Sequence, residues 1–278
     1  MKWLGLTPFA LYVLLFLAIP TVLAIGTGFF TADGSFTLAG LAALGNESVL
    51  RAFWSSIWVS GLTAVIGAVI GALLCIALAG ARPGGVLRRA VDSASSVLAQ
   101  FGGVMLAFAF IATIGIQGLI TTLLREQLGI DIFADGVWLY QLPGLILPYL
   151  YFQVPLMVVV FLPAMEGLRR EWAEAAAVFG GNSFTYWFRI AAPVLAPSFL
   201  GSLLLLFSNA FSAYATAAAL ISQGSQIVPL QIRSALSGET GASSSGSAGA
   251  LALGMILVMT VVMIGYSAMQ RRAARWQR

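Results

Sequence analysis

Long apolar runs separated by short polar segments dominate this sequence and restrict it to a membrane fold. Hydrophobic residues occupy 60% of the 278 positions and charged residues only 9%, a balance that soluble domains do not show. A helix needs about 20 apolar residues to cross the hydrocarbon layer of a bilayer. We therefore predict an all-α integral membrane protein with six transmembrane helices, at 6–29, 54–79, 96–116, 142–164, 194–221 and 248–269.

Positive charges are distributed unevenly among the segments between these runs. Cytoplasmic segments of membrane proteins carry an excess of lysine and arginine. We therefore expect both termini and the loop at 165–193 to be cytoplasmic. The first run is longer than the apolar part of a signal peptide, so we interpret it as a retained helix. Of the 14 cations, 11 lie in alternate segments: Lys2, Arg82, Arg88, Arg89, Arg169, Arg170, Arg189, Arg271, Arg272, Arg275 and Arg278.

Several kinds of chemistry have no residues to support them in this sequence. The chain contains no histidine, which removes imidazole acid–base pairs and HExxH zinc sites. It also has no GxxxxGK[ST] stretch to hold a nucleotide phosphate, and no charged residue lies deep in a predicted span, where ion-coupled carriers usually need one. We expect a non-catalytic protein without cofactor, metal or nucleic acid, which is passive or receives its energy from a partner.

The loop at 165–193, called the bracket below, is a polar and sharply punctuated segment between two apolar runs. Its Ala- and Glu-rich first part predicts a helix over 169–179, ended by Gly180 in the left-handed conformation. Asn182 or Ser183 is expected to cap a second helix through Arg189, and Pro193 to start the return into the membrane. The alternative is an amphipathic connector in the headgroup layer. Exposed aromatic residues would suit either interpretation: Trp172, Phe179, Tyr186, Trp187 and Phe188.

Within the bracket, Glu174-Ala175-Ala176 is followed by Gly180 and then by Ile190 and Pro193. This order and spacing resemble the EAA loop of ABC-importer permeases. Ala192 departs from the pattern, which usually has leucine there. From about 54 to 269 the chain resembles the five-helix core of a type I importer permease, with the first helix as a common N-terminal addition. This resemblance implies that the bracket docks an ATPase subunit in a prokaryotic cell membrane, through Glu174, Ala175, Ala176, Gly180, Ile190, Pro193 and Arg170.

The same resemblance implies a domain organisation and a set of partners. Residues 1–50 would form the N-terminal helix and an extracytoplasmic loop, 51–270 the permease core, and 271–278 a basic cytoplasmic tail. The partners would be two ATPase subunits, a second permease in a heterodimer, an extracytoplasmic solute-binding protein and the lipid bilayer. Three phrases resemble the branch that transports polyamines, opines or phosphonates: 101–103, 209–216 and 228–232.

Polar side chains at membrane depth are the candidates for a translocation pathway. We select Gln153, Asn209 and Tyr214, the last two because they occur together near the middle of the fifth span. Hydrogen bonds between helices would satisfy such groups without any solute, so that alternative remains open. Two rival functions are a self-sufficient channel or carrier and an intramembrane enzyme. A neighbouring gene for a P-loop ATPase would favour the importer over both.

Overall fold

The computed structural model describes residues 6–30, 35–81, 85–221, 227–237 and 245–274. Predictions that concern Lys2, Arg82, Arg275 and Arg278 lie outside these ranges. The longer helices are α1 (Thr7–Gly26), α2 (Glu47–Ala79), α3 (Val86–Leu98), α4 (Gly103–Ile114), α5 (Leu119–Leu128), α6 (Ile146–Glu166), α7 (Arg170–Val178), α8 (Ser183–Phe211), α9 (Ala215–Leu220), α10 (Val228–Ser237) and α11 (Ser245–Ala274). Short helical turns occupy Ala39–Ala42, Ala43–Gly45, Trp138–Tyr140 and Leu142–Leu145.

The described residues confirm an all-α protein with six helical segments long and apolar enough to span a membrane. They are Thr7–Gly26, Glu47–Ala79, Gly103–Leu128, Leu142–Glu166, Ser183–Phe211 and Gly246–Ala268. Three of them differ from the prediction by more than four residues at one or both ends: the second begins at Glu47 rather than at 54, the third covers Gly103–Leu128 rather than 96–116, and the fifth covers Ser183–Phe211 rather than 194–221. The third starts at Gly103 rather than at 96, because Val86–Leu98 is a separate amphipathic helix. The fifth ends at Phe211 rather than at 221, because the chain leaves the helical path at 212–214 before α9 begins.

The chain divides into two compact units, the first made of the described parts of Met1–Ser55 and Gln226–Thr260. Its core contains Ala52, Val228 and Leu251. Gln231 lies beside this core and donates from Nε2 to the carbonyl of Ser48 at 3.1 Å. Helices α1 and α11 approach closely at Gly249, where an added Cβ would lie 2.7 Å from the carbonyl oxygen of Ala24.

The second unit contains the described parts of Ser56–Ser225 and Val261–Arg278. Helix α6 lies at its centre and packs against α3 and α8, while α9 packs against α4. The C-terminal half of α2 also lies against α6, where Gly71 allows close approach: an added Cβ would lie 2.5 Å from the Cβ of Met157. Small residues on a helix face permit this kind of backbone contact between membrane helices.

Candidate functional site

The first half of the bracket is a helix that ends in a glycine turn. Helix α7 stops at Val178, and the backbone nitrogens of Gly180 and Gly181 donate to the carbonyls of Ala177 and Ala176 at 3.0 and 2.8 Å. Gly180 has φ +76°, a conformation that residues with a Cβ rarely adopt. The predicted helix and its glycine ending are therefore present in the structure.

The second half of the bracket begins at Asn182 and continues into the membrane helix without a break. The side chain of Asn182 accepts hydrogen bonds from the backbone nitrogen and the hydroxyl of Thr185, at 2.9 and 3.0 Å, so Asn182 is the cap rather than Ser183. The predicted stop near Arg189 is wrong. A wider turn at Trp187–Ala191 carries the helix past Pro193, and the nitrogen of Ala192 donates to the carbonyl of Trp187.

This wider turn has a local cause. Proline has no N–H, so Pro193 cannot donate to the carbonyl of Arg189 four residues earlier. A single turn with i→i+5 hydrogen bonds is a common way for a helix to accommodate such a defect. Pro193 is exposed and lies at the second position of the regular helix Ala192–Phe211. The proline therefore sits inside a continuous helix rather than at the start of a new one.

The two halves of the bracket enclose a groove of about 520 Å³, called the bracket groove below. Ala175, Ala176 and Ile190 lie together in its wall, although the first two come from α7 and the third from α8. The lining is apolar except for Arg189, Thr185 and the backbone. The remaining lining residues are Trp172, Phe179, Gly181 and Val194.

The other predicted docking residues lie outside the groove wall. Glu174 is exposed on α7, and Arg170 begins that helix, with a side chain outside the described part of the structure. Phe179 is 90% exposed beside the glycine turn. Phe184 and Phe188 are also exposed and pack together with ring centroids 4.2 Å apart. Phe184 was not among the predicted aromatic residues, although it lies one helical turn before Phe188 on the same face.

Tyr186 and Trp187 belong to a different surface of the bracket. Both are partly buried and line a second cavity with Arg88, Glu166 and Arg169. The outward-facing aromatic surface is therefore made of Phe179, Phe184 and Phe188.

Away from the bracket, two breaks between consecutive helices meet inside the second unit. The first lies between α3 and α4, where Gly103 has φ +71°. The second lies between α8 and α9, at 212–214. The hydroxyl of Thr216 donates to the carbonyl of Gly103 at 3.2 Å, and the hydroxyl of Tyr149 donates to the carbonyl of Ala213 at 3.0 Å. A side chain from a different helix thus donates to a backbone carbonyl at each break.

The three predicted pathway residues are not all in one place. Asn209 is exposed in the last turn of α8, and Tyr214 is 37% exposed in the break that follows. The two therefore flank the end of the helix and do not lie in the middle of the span. Gln153 is fully buried and donates to the hydroxyl of Thr63 at 2.9 Å. Tyr149 was not predicted, because its partner is a backbone carbonyl 64 residues away in the chain.

A family model matches most of the chain. The model for "Binding-protein-dependent transport system inner membrane component" matches residues 71–275. This range includes the whole bracket and both helix interruptions.

Two curated relatives are similar in sequence at low identity. One is the spermidine/putrescine transport system permease protein PotB of Haemophilus influenzae, 23% identical over 73% of this chain and 72% of the relative. The other is a probable ABC transporter permease protein, y4fN of Sinorhizobium fredii, 25% identical over 77% of this chain. The chain spans only 37% of the length of that second relative.

Solved structures show the same fold. A chain of a bacterial alginate ABC transporter, in complex with a periplasmic protein that holds an alginate pentasaccharide, matches with a TM-score of 0.79 and 19% identity over 98% of this chain and 94% of its own. A chain of the inward-facing MetNI methionine ABC transporter matches with a TM-score of 0.58 and 16% identity, over 81% and 95%. The sequence match carries the assignment: the chain belongs to the family of inner membrane components of binding-protein-dependent transport systems, as a type I ABC importer permease.

Proposed function

We propose that this chain is the non-catalytic, membrane-spanning subunit of an ATP-driven importer and that its bracket docks the ATPase. The observation that carries the proposal is the bracket groove, because the left-handed turn at Gly180 brings Ala175, Ala176 and Ile190 to one apolar surface beside exposed Phe179. Exposed aromatic side chains beside an apolar groove are typical anchors of a protein interface. Glu174 lies exposed on the same helix, and Arg170 and Pro193 complete the proposed docking set.

We also propose a subunit organisation and a topology. Two ATPase subunits would hydrolyse ATP, a second permease would complete a heterodimer, and an extracytoplasmic binding protein would deliver the solute. The core would occupy 51–270, preceded by an N-terminal helix and loop at 1–50 and followed by a basic tail at 271–278. Both termini and the bracket would face the cytoplasm. The 23% identity to a spermidine/putrescine permease supports a polyamine as the solute, with phosphonates and opines as the alternatives.

The pathway proposal concerns the interruption at the end of α8. The side chains of Asn209 and Tyr214 have no hydrogen-bond partner within the described part of the chain, and both are exposed. Polar groups at membrane depth need a partner or water. A solute or water in the pathway would supply one. For Gln153 the hydrogen bond to Thr63 supports the interhelical alternative, and its pathway role stays a prediction.

A charge reversal at Glu174 tests the docking proposal. We expect Glu174→Lys to insert normally but to lose its ATPase subunits on purification and to stop uptake, because the new charge lies on the docking surface. Glu126→Lys is the matched control, since Glu126 is exposed on α5, outside the bracket. Mass spectrometry of the purified complex measures both the co-purifying subunits and the bound solute. A Glu174→Lys protein that retains its ATPase and transports normally would contradict the proposal.

A further inference from the structure

A polar cavity lies between α3 and α6 in the second unit, apart from the bracket groove. Its volume is about 240 Å³. Helix α3 contributes Asp92, Ser95 and Ser96, which lie three and four residues apart and so share one helix face. The last turns of α6 supply the rest of the wall, namely Val158, Val159, Leu162, Pro163 and Glu166.

Both carboxylates in this cavity lie beside Arg88. A guanidinium nitrogen of Arg88, Nη2, forms an ion pair with the carboxylate of Glu166. The Nε of Arg88 lies 4.0 Å from a carboxylate oxygen of Asp92, beyond hydrogen-bond distance. Within the described part of the chain, the Asp92 carboxylate accepts no hydrogen bond. Arg169 also lies near Glu166, in the second cavity that Arg88 and Glu166 line, so Asp92 is the less closely paired of the two carboxylates.

The cavity also has hydrogen-bonding groups without partners. Ser95 is only 6% exposed, and its hydroxyl has no hydrogen-bond partner among the described residues. In a regular helix the carbonyl of Val159 would accept a hydrogen bond from the N–H of residue 163, but that residue is a proline and has no N–H. Ser95 and Val159 both line the cavity, where a ligand can reach them. These acceptors beside the loosely paired Asp92 carboxylate therefore indicate a ligand that donates hydrogen bonds and carries positive charge.

We propose that this cavity binds a primary ammonium group, with the alkyl part of the ligand against Val158, Val159 and Leu162. An ammonium group has three hydrogen-bond donors, no acceptor and one positive charge, which matches Asp92, Ser95 and the Val159 carbonyl. A divalent metal ion fits less well, because it requires a full shell of oxygen ligands. In this cavity Glu166 is already paired with Arg88, and much of the wall is apolar.

Two kinds of molecule carry a primary ammonium group that can reach the cavity. One is an amine solute on its way through the importer, and this source rests on the proposed function. The other is the headgroup of phosphatidylethanolamine, since Glu166 lies at the end of a membrane helix. Phosphatidylcholine carries a quaternary ammonium group without an N–H donor. It therefore serves as the background lipid in the test.

The test is a binding titration of the full-length permease, with the subunits that co-purify with it, in phosphatidylcholine nanodiscs. The probe is 1,4-diaminobutane, followed by isothermal titration calorimetry. We expect Asp92→Asn to weaken binding by about tenfold or more, because hydrogen bonds to a charged group are the strong ones. Ser95→Ala, which removes only a hydroxyl, should weaken it severalfold. Asp135→Asn is the matched control, because Asp135 is exposed in the loop between α5 and α6. This variant should bind the diamine as tightly as the unchanged protein does.

A second arm separates the two sources. Native mass spectrometry in nanodiscs that contain phosphatidylethanolamine measures retained lipid for the same variants. Loss of diamine binding in Asp92→Asn supports the solute, and loss of retained lipid supports the headgroup. Equal behaviour of Asp92→Asn and Asp135→Asn in both arms, with unchanged thermal unfolding, overturns the proposal, as does the absence of both diamine binding and lipid retention in the unchanged protein. The titration needs no ATP hydrolysis, so failed docking in Glu174→Lys leaves its result unaffected.

Discussion

Gln153 of α6 donates a hydrogen bond from Nε2 to the hydroxyl of Thr63 on α2 at 2.9 Å, and both side chains are fully buried. Thr63 in turn donates to the carbonyl of Val59 one turn earlier, at 2.7 Å. The other amide atom of Gln153, Oε1, is buried without a partner among the described residues. The side-chain nitrogen of Gln153 therefore links α6 to α2, whereas its side-chain oxygen has no partner among the described residues.

Replacing Gln153 by leucine is expected to leave thermal stability unchanged or raised. The change loses one hydrogen bond worth about 1 kcal/mol but removes a buried unpaired oxygen that costs about 1–3 kcal/mol. Gln153→Ala is the control that leaves a cavity and should unfold at a lower temperature. A fall in the unfolding midpoint of Gln153→Leu as large as that of Gln153→Ala would show that Oε1 has a partner. Reduced uptake by Gln153→Leu at unchanged stability would instead support a pathway role for Gln153.

Replacement by alanine is expected to change thermal stability in opposite directions at two glycines of α2. At Gly71 an added Cβ would lie 2.5 Å from the Cβ of Met157, whereas at Gly61 nothing lies within 4 Å. Overpacking of this kind typically costs about 1–3 kcal/mol, and alanine in an open helix position gains up to about 1 kcal/mol. Thermal unfolding in detergent should therefore fall for Gly71→Ala and hold or rise for Gly61→Ala. Similar midpoints for both variants would contradict the close contact between α2 and α6.

The left-handed turn at Gly180 offers a test of docking that does not change charge. We expect Gly180→Val to lose the ATPase, because a β-branched residue strongly disfavours the φ of +76°. Gly180→Asn should retain it, since asparagine tolerates this conformation, and no atom lies within 4 Å of an added Cβ there. Co-purification of ATPase subunits measures the difference. Equal retention by both variants would mean that the turn conformation does not matter for docking.

A pair of tyrosines separates structural from pathway roles at the interrupted helices. Tyr149→Phe should lower stability by about 1 kcal/mol, because the carbonyl of Ala213 loses its hydrogen-bond donor. Tyr214→Phe should not, because the Tyr214 hydroxyl has no hydrogen-bond partner among the described residues; we expect it, with Asn209→Ala, to alter uptake instead. Thermal unfolding and solute uptake are measured for each in the assembled complex. Uptake that changes only in proportion to stability would assign Asn209 and Tyr214 to packing.

The orientation of the chain can be tested with single cysteines. The native Cys75 is fully buried, so it should give little background with an impermeant thiol reagent. Asp131 lies in the loop between α5 and α6, which we expect to be extracytoplasmic because of the uneven distribution of cations. A cysteine at this position should be labelled in intact cells and one at Arg170 only after the cells are opened. Labelling of position 170 from outside would reverse the proposed topology.

Local chemistry explains how much of the bracket was predictable. A helix rich in alanine and glutamate, a glycine and an asparagine act over a few residues, so α7, the turn and the cap follow from the order of the residues alone. The continuation past Arg189 did not follow, because proline can end a helix or lie within one that adopts a wider turn. The packing of the following membrane helix decides between these outcomes.

The sequence by itself determined six apolar segments, the asymmetry of charge and the order of elements in the bracket, because length, charge and turn residues are properties of short stretches. Only the tertiary structure decided that the breaks beside Gly103 and Tyr214 meet, that Gln153 pairs with Thr63, and that Asp92 and Glu166 share one cavity. Each of these relationships joins helices that are distant in the chain. Which helix faces which depends on the close packing of whole surfaces, and the hydrophobicity of a single segment does not encode it.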